Sequence, residues 1–174
     1  MKICAVALVL TVLALAGSGC GGSDATPASA EGLPGSVATT RSAILAAAES
    51  GKYDPLRDVI HPSSFLSDFG FGSEPDPVGR WAKAGPKALD TMGALLRMPH
   101  AVRETNEGTL YEWPRFNADS SAGEVSADER ALLLTVMTEE ELQNAFLPEF
   151  GYTGPHLGIL ADGKWWFFVL ERGA

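Results

Sequence analysis

The sequence has few of the residues that build disulfides or metal sites. Its 174 residues include two cysteines, Cys4 and Cys20, and three histidines. Cys4 lies in a segment that we expect to be removed on export, so the mature chain keeps one cysteine and has no internal disulfide. His100 and His156 do not belong to a metal-ligand spacing such as His-Glu-x-x-His. We therefore expect no metal and no cofactor, and a domain stabilised by packing.

Basic residues are also scarce. Without the predicted signal segment the chain has 12 basic and 22 acidic side chains, a formal charge of −10. A surface of this sign repels nucleic acid and anionic lipid headgroups, which excludes a nucleic-acid partner. The carboxylates are spread along the chain, which is typical of a soluble exported domain. The one dense run, Glu139–Glu141, stands where a helix start would favour it.

No apolar run is long enough to span a bilayer. The longest extends from Ile3 to Ala16, about 14 residues against the roughly 20 that a membrane-spanning helix needs. Lys2 precedes the run and small residues follow it, which is the pattern of a secretory signal. We interpret residues 1–19 as a signal peptide that is removed.

The end of this segment, Gly17-Ser18-Gly19-Cys20, resembles the lipobox of bacterial lipoproteins. The resemblance implies that the Cys20 thiol receives diacylglycerol before the signal is cut away. It also implies a membrane partner through this lipid anchor, and a location on the cell envelope outside the cytoplasm, periplasmic or extracellular. Gly17 stands where the family usually has leucine, and cleavage after Ala16 would give a soluble secreted protein. Residues 20–35 have the Gly/Ser/Pro composition of a flexible tether.

Hydrophobic spacing predicts helices in the first half of the domain. Apolar residues follow a helical period across residues 36–50, and Gly51 is a typical stop. Asp54 and Pro55 have the pattern of an N-cap and a first helical residue, which predicts a short helix ending before Pro62.

Three more helical regions are predicted further along the chain. Val78 and Trp81 indicate a helical turn, and a helix starting at Pro86 carries apolar residues as far as Leu96. The patterns Ser126-x-x-Glu129 and Thr138-x-x-Glu141 are capping boxes, each of which predicts a short helix.

Strand signals dominate the rest of the domain. Residues 65–71 alternate to give an aromatic face, and a turn at 106–108 joins two predicted strands, the second of which places Tyr111 and Trp113 on one face. Asp162-Gly163 predicts a hairpin with a two-residue type I′ turn. The predicted strands are 156–161 and 164–170.

The register of this hairpin follows from its turn. Leu160 would face Trp165, and Ile159 would face Trp166. The second strand is apolar on both faces, so we expect both of its faces to be covered.

Residues 37–71 contain a helix, the turn Ser50-Gly51-Lys52-Tyr53-Asp54, a short helix to His61-Pro62 and a Phe-rich strand. This order resembles the opening of NTF2-like (SnoaL-like) domains, with the helical region 77–98 in the place of their third helix. The resemblance implies a single α+β domain over residues 36–174. In it, N-terminal helices pack on a curved antiparallel sheet that ends in the C-terminal hairpin.

The same resemblance implies a ligand site on the concave face of the sheet. Its candidate residues are Asp68, Trp81, Tyr111 and Trp113. An aspartate in an aromatic pocket has the raised pKa that a general base needs, although Asp68 has the opposite strand parity to Phe65. The aromatic residues have a spacing that is more often found in a core.

A second candidate group is Asp54, Asp58 and His61, spaced so that a continuous helix would bring them to one side. These residues could form a metal or acid-base site, or each could have a structural role. In the structural interpretation Asp54 is an N-cap, Asp58 is solvated and His61 lies at a helix C-terminus, where the dipole favours it.

No catalytic motif stands out in the chain. The sequence lacks the Gly-x-Ser-x-Gly nucleophile pattern and a phosphate-binding glycine pattern. Our main hypothesis is a lipid-anchored domain outside the cytoplasm that binds a protein or small-molecule partner, with no specific activity assigned. The alternatives are a small-molecule enzyme of NTF2-like type, similar to the family's isomerases or dehydratases, and a structural envelope protein. Whether the chain is an enzyme is left open.

Overall fold

The fold belongs to the α+β class. The computed structural model of the chain describes residues 32–60, 65–67 and 75–170. Its α-helices are α1 (Gly35–Ser50), α2 (Pro77–Ala84), α3 (Lys87–Leu96), α4 (Ala127–Leu133) and α5 (Glu139–Asn144), with 3-10 helices at Asp54–Asp58 and Ala122–Glu124. Its strands are β1 (Leu66–Ser67), β2 (Ala101–Thr105), β3 (Gly108–Trp113), β4 (Phe146–Leu147), β5 (Gly151–Tyr152), β6 (His156–Leu160) and β7 (Trp165–Val169).

The first helix lies where its periodicity predicted. α1 ends at Gly51, whose φ of +66° is the left-handed conformation that glycine adopts without strain. Val37, Ile44 and Ala47 are fully buried on one face of the helix. This face packs mainly against α3, which is buried along most of its length.

The N-cap prediction for Asp54 is wrong. The 3-10 helix Asp54–Asp58 has Tyr53 as its cap residue, and no side chain caps it. The Asp54 carboxylate is almost fully exposed, 3.8 Å from the Arg57 guanidinium. The tight 3-10 turn already includes Asp54, so its side chain does not reach the free N–H groups of the first turn. The predicted grouping with His61 lies partly outside the described residues.

Both predicted capping boxes are confirmed. Ser126 accepts the Glu129 N–H, and the Glu129 carboxylate accepts the Ser126 N–H at 2.9 Å. Thr138 and Glu141 make the same reciprocal pair at the start of α5. These local bonds start two short helices whose apolar faces place Leu133 and Leu142 in the core.

The main sheet has the strand order β1-β7-β6-β3-β2. It is a mixed sheet, because β1 pairs in parallel with β7 while the other neighbours are antiparallel. The prediction of a purely antiparallel sheet is therefore wrong at this edge. A long stretch of chain separates β1 from β7, so no tight turn dictates their relative direction. Phe69 and Phe71 of the predicted strand lie outside the described residues.

The C-terminal hairpin forms, but its register near the turn differs from the prediction. Leu160 donates its N–H to the Lys164 carbonyl at 2.9 Å, and the loop is residues 161–163. Ile159 faces Trp165 rather than Trp166. A type I′ turn would have given the two-residue loop. Here Gly163 takes a φ of +91°, as in three-residue loops, and Trp166 is the extra residue of a β-bulge. Beyond the bulge the predicted pairs from Gly158 to His156 are confirmed.

The sheet is apolar on both faces, as the composition of its last strand predicted. Trp165 and Phe168 face the helices together with Trp113, Leu157 and Ile159. The opposite face carries a smaller cluster formed by Leu110, Leu160, Phe167 and Val169. Within the described ranges, no helix has the length and hydropathy required to cross a membrane.

The bulge can be tested by comparing Trp165→Ala with Trp166→Ala in the purified chain. Trp165 is fully buried, so its truncation should lower the free energy of unfolding by about 3–5 kcal/mol. Trp166 is only half-buried, so Trp166→Ala should lower the free energy of unfolding by clearly less. Urea denaturation measures both, and Trp165→Phe provides a milder variant if Trp165→Ala does not fold. A larger loss at Trp166 would contradict the bulged register.

Candidate functional site

Trp81, Tyr111 and Trp113 are the predicted site residues that the structure describes. Trp81 on α2 is 3% exposed, Trp113 at the end of β3 is fully buried and Tyr111 is half-buried. The His100 ring lies 5.7 Å from the Tyr111 ring and 5.4 Å from the Trp113 ring, so these groups are brought together. Trp81 lies in the same hydrophobic core, but its ring contacts Phe65, Trp165 and Phe168 instead. The other candidates, Cys20, His61 and Asp68, lie outside the described residues.

The space between α2 and the sheet is filled by aromatic rings. The Trp81 ring lies edge-on to Phe65 at 5.9 Å and to Phe168 at 5.3 Å. Trp165 lies 6.1 Å from Trp81 and 5.0 Å from Phe65. These distances are those of packed aromatic pairs. Trp81 therefore has a packing role in this structure, and its predicted role in ligand binding stays a prediction.

Two indole N–H groups in this interior lack an acceptor. In the described part of the chain, Trp81 Nε1 and Trp113 Nε1 are buried without a hydrogen-bond partner. A buried donor that loses its water partner costs about 1–3 kcal/mol. Both rings therefore stabilise the core through apolar contact, at the expense of an unsatisfied polar atom.

Glu112 is a buried carboxyl on the opposite face of the sheet. It is 8% exposed and lies on β3, where its Oε2 is 3.0 Å from Arg103 Nε on β2. Burial raises the pKa of Glu112, and the charge of Arg103 offsets this only in part. The fold thus disfavours the ionised form of Glu112.

Glu129 is a second buried carboxyl, and its pKa is shifted in the direction opposite to that of Glu112. Burial acts to raise its pKa, but hydrogen bonds from Arg115 and Ser126 outweigh burial, so the pKa lies below its ordinary value. The Arg115 Nε to Glu129 Oε1 distance is 2.8 Å. This ion pair joins α4 to the segment that follows β3.

One cavity with the size of a small-molecule site lies between α3 and α5, and we call it the α3–α5 cleft. It has a volume of about 350 Å³ and an apolar part that includes Met137, Ala145 and Leu170. Its remaining lining residues are Lys87, Thr91, Val136, Glu141, Asn144, Thr153, Gly154 and Pro155. Small-molecule sites commonly combine this size with apolar walls and a few polar groups.

The polar rim of the α3–α5 cleft offers several hydrogen-bonding groups. Glu141 stays ionised at neutral pH, because its hydrogen bonds with Thr138 lower its pKa. Asn144 is exposed, and Lys87 lies near enough to Glu141 to interact with its charge. The cleft can therefore accept an amphipathic molecule whose polar head contacts the rim.

A second cleft of about 420 Å³ lies between α1, α3 and α4. Its wall holds an ion pair in which Arg97 donates to Glu49 at 2.9 Å and to the Gly93 carbonyl at 2.7 Å. A side chain at Gly93 would collide with this arginine, since an added Cβ would lie 2.9 Å from its Nη1. Arg97 and Glu49 thus already satisfy each other in this wall, which also contains Asp90.

Sequence reasoning missed Glu112 and the α3–α5 cleft. Alternation along β3 placed Glu112 opposite to Tyr111 and Trp113, which suggests a solvated side chain. The sequence did contain a sign of this burial. β7 is apolar on both faces, which required both faces of the sheet to be covered, including the face on which Glu112 lies. The capping box at Thr138 predicted α5, but the approach of α5 to α3 is a tertiary contact that no local pattern encodes.

Among residues 32–60, 65–67 and 75–170, no group of three His, Cys, Asp or Glu side chains is arranged to hold a metal ion. Comparison of the chain with protein families, with curated proteins and with solved structures finds no match.

The two buried glutamates predict opposite effects of pH on stability. Glu112 binds its proton more tightly in the folded state, so its ionisation lowers stability as the pH rises through its folded pKa. Glu129 has a depressed folded pKa, so the stabilisation from its ionised form is present above the unfolded value and is lost in acid.

We expect Glu129→Gln to lower the free energy of unfolding at neutral pH by roughly 1–3 kcal/mol, with the loss shrinking in acid. The free energy of unfolding of Glu112→Gln should rise relative to that of the parent chain as the pH rises, because glutamine does not ionise. Urea denaturation between about pH 4 and pH 8 measures both trends. Parallel trends for the two variants would show that the assigned burial is wrong.

Proposed function

We propose that this chain is a membrane-anchored lipoprotein whose domain acts outside the cytoplasm by binding a ligand or partner. In this proposal residues 1–19 are removed, acyl chains on Cys20 enter the membrane, and the tether follows Cys20 but ends before Leu33, which packs against the core, since α1 begins at Gly35. Two or more acyl chains bury enough methylene groups, at about 0.8 kcal/mol each, for stable anchoring.

The position of the first helix supports this division of the chain. α1 begins at Gly35, and the residues between Cys20 and α1 are rich in glycine, serine, alanine and proline. A segment of that composition has low helix and strand propensity and suits a spacer between a membrane and a folded domain.

We also propose that the fold is of NTF2-like type. The order from Gly35 to Leu96 is helix, short helix, strand and further helices, which is the order that the resemblance implies. The helices pack on one face of the sheet, and the chain ends in the C-terminal hairpin. α4 and α5 are an addition to that arrangement, since the family has long strands in this part of the chain.

One observation carries the preference for binding over catalysis. The space under the helices, where an NTF2-like enzyme would have its pocket, is filled by Trp81, Trp165 and Phe168. The clefts that the described residues form are open to the surface instead. An exchangeable ligand could reach the α3–α5 cleft, whereas a catalytic site needs a more enclosed and desolvated group.

The anchor is tested by Cys20→Ser expressed in cells. We expect the parent protein to fractionate with the membrane and the variant to be released, because serine cannot accept the lipid through a thioether. Mass spectrometry of the mature N-terminus is the second measurement. An unmodified chain that starts at Gly17 would instead assign cleavage after Ala16 and a secreted protein.

Ligand binding at the α3–α5 cleft is tested with a panel of small amphipathic alcohols, amides and carboxylic acids. A compound that binds should raise the melting temperature of the purified chain. Asn144→Trp should abolish the shift by filling the cleft. The matched control is Gln143→Trp, since Gln143 is also exposed on α5 but does not line the cleft. No thermal shift, or equal shifts in both variants, would contradict the assignment.

A further inference from the structure

Large apolar side chains are also exposed at the end of the β4–β5 hairpin, at residues that do not line the α3–α5 cleft. We call residues 147–150, the turn between β4 and β5, the hairpin tip. Phe150 is 56% exposed and Leu147 is 39% exposed. Phe150 has the highest exposed fraction of the large apolar side chains within the described ranges. Neighbouring exposed apolar groups of this kind mark interaction sites more often than isolated ones do.

The hairpin tip is held in place by backbone contacts. Phe150 donates its N–H to the Leu147 carbonyl at 3.2 Å, which closes the turn, and Tyr152 donates to the Asn117 carbonyl at 2.9 Å. Gly151 has a φ of +60°, and a Cβ there would lie 2.3 Å from the Ala118 carbonyl oxygen. The tip therefore packs backbone to backbone against the loop formed by residues 117–122.

An aromatic base lies beneath the hairpin tip. The Phe146 ring is 5.0 Å from Tyr152 and 5.5 Å from Phe116. Tyr152 is buried, and its hydroxyl donates to the Pro155 carbonyl at 3.1 Å. Phe150 is thus presented on a supported turn, and a partner would not have to pay the entropy of ordering it.

A cleft of about 430 Å³ adjoins the hairpin tip. It lies between Phe146, Leu147 and Pro148 on one side and the loop 117–122 on the other. Its one charged lining residue is Asp119, and Glu149 is exposed at the tip itself. The cleft thus has one apolar wall, formed by Phe146, Leu147 and Pro148, and one polar wall that carries the negative charge of Asp119.

The surrounding part of the chain is strongly acidic. Residues 115–152 carry eight acidic side chains and two basic ones, Arg115 and Arg130, which pair with Glu129 and Glu139. The carboxylates are therefore more concentrated here than the whole-chain composition indicated. This charge repels anionic lipid headgroups and attracts a basic partner.

We propose that the hairpin tip and its adjoining cleft dock a protein partner through a segment that combines lysine or arginine with apolar side chains. Some apolar side chains of the partner would enter the cleft beside Leu147 and others would cover the exposed Phe150 at the tip, and the basic groups would face Asp119 and Glu149. This inference rests on the proposed function as a binding domain. It does not depend on the lipid anchor.

The test uses the purified chain with Cys20→Ser, so that acylation contributes nothing. The probe is a fluorescent peptide that alternates lysine with leucine and phenylalanine, and fluorescence anisotropy measures its affinity. Two control peptides replace lysine by glutamate, or leucine and phenylalanine by serine. We expect both controls to bind at least about tenfold more weakly, and added salt to weaken the parent peptide.

Two substitutions locate the peptide on the protein. Phe150→Ser and Glu149→Lys should each weaken binding about tenfold or more, while the unfolding midpoint in urea stays unchanged because both side chains are exposed. Val102→Ser is the matched control, since Val102 is 53% exposed on β2 and lies outside the acidic segment. It should leave the affinity unchanged.

Three results would overturn the inference. The first is unchanged affinity in Phe150→Ser and Glu149→Lys, and the second is equal binding of the glutamate peptide. The third is binding to vesicles of phosphatidylcholine and phosphatidylglycerol that Phe150→Ser abolishes, since that would assign the tip to a lipid surface. Membrane release of Cys20→Ser in cells reports on the anchor alone, so the two proposals fail separately.

Discussion

The packing of the Trp165 ring between the helices and the sheet is the contact on which the rest of the structure depends. The ring is fully buried and contacts Phe65, Trp81 and Phe168, while its Nε1 donates to the Phe167 carbonyl at 3.0 Å. Phe168 belongs to β7 and Trp81 to α2, while Phe65 directly precedes β1. Because residues 36–174 contain no cysteine, the domain relies on such contacts to hold its two layers together.

The bulge at Trp166 makes this arrangement possible. In a regular strand, residues three apart face opposite sides of the sheet, so Trp165 and Phe168 would be separated. The extra residue brings both rings to the helix face and leaves Phe167 and Val169 on the other. One local irregularity thus distributes the apolar run of β7 over two clusters, and both faces of the strand are buried.

The interior of the domain is tightly packed, and the sites that we propose for binding lie at its surface. Aromatic rings fill the space under the helices, whereas the α3–α5 cleft and the hairpin tip expose apolar side chains at the surface. Both lie in or beside the segment that contains α4, α5 and β4–β5, and residues 115–152 carry eight of the 22 acidic side chains of the chain. The helices and sheet thus hold this acidic segment at the surface, where we propose that recognition takes place.

The sequence by itself determined the features that depend on neighbours a few residues apart. α1, the strand pair around residues 106–108 and both capping boxes follow from local periodicity and side-chain to backbone bonds, and all appear in the structure. Only the tertiary structure decided the parallel pairing of β1, the bulge at Trp166, the burial of Glu112 and the exposure of Phe150. Each of these depends on contacts between residues far apart in the chain, where strand direction, desolvation and packing are set by the partner and not by the local pattern.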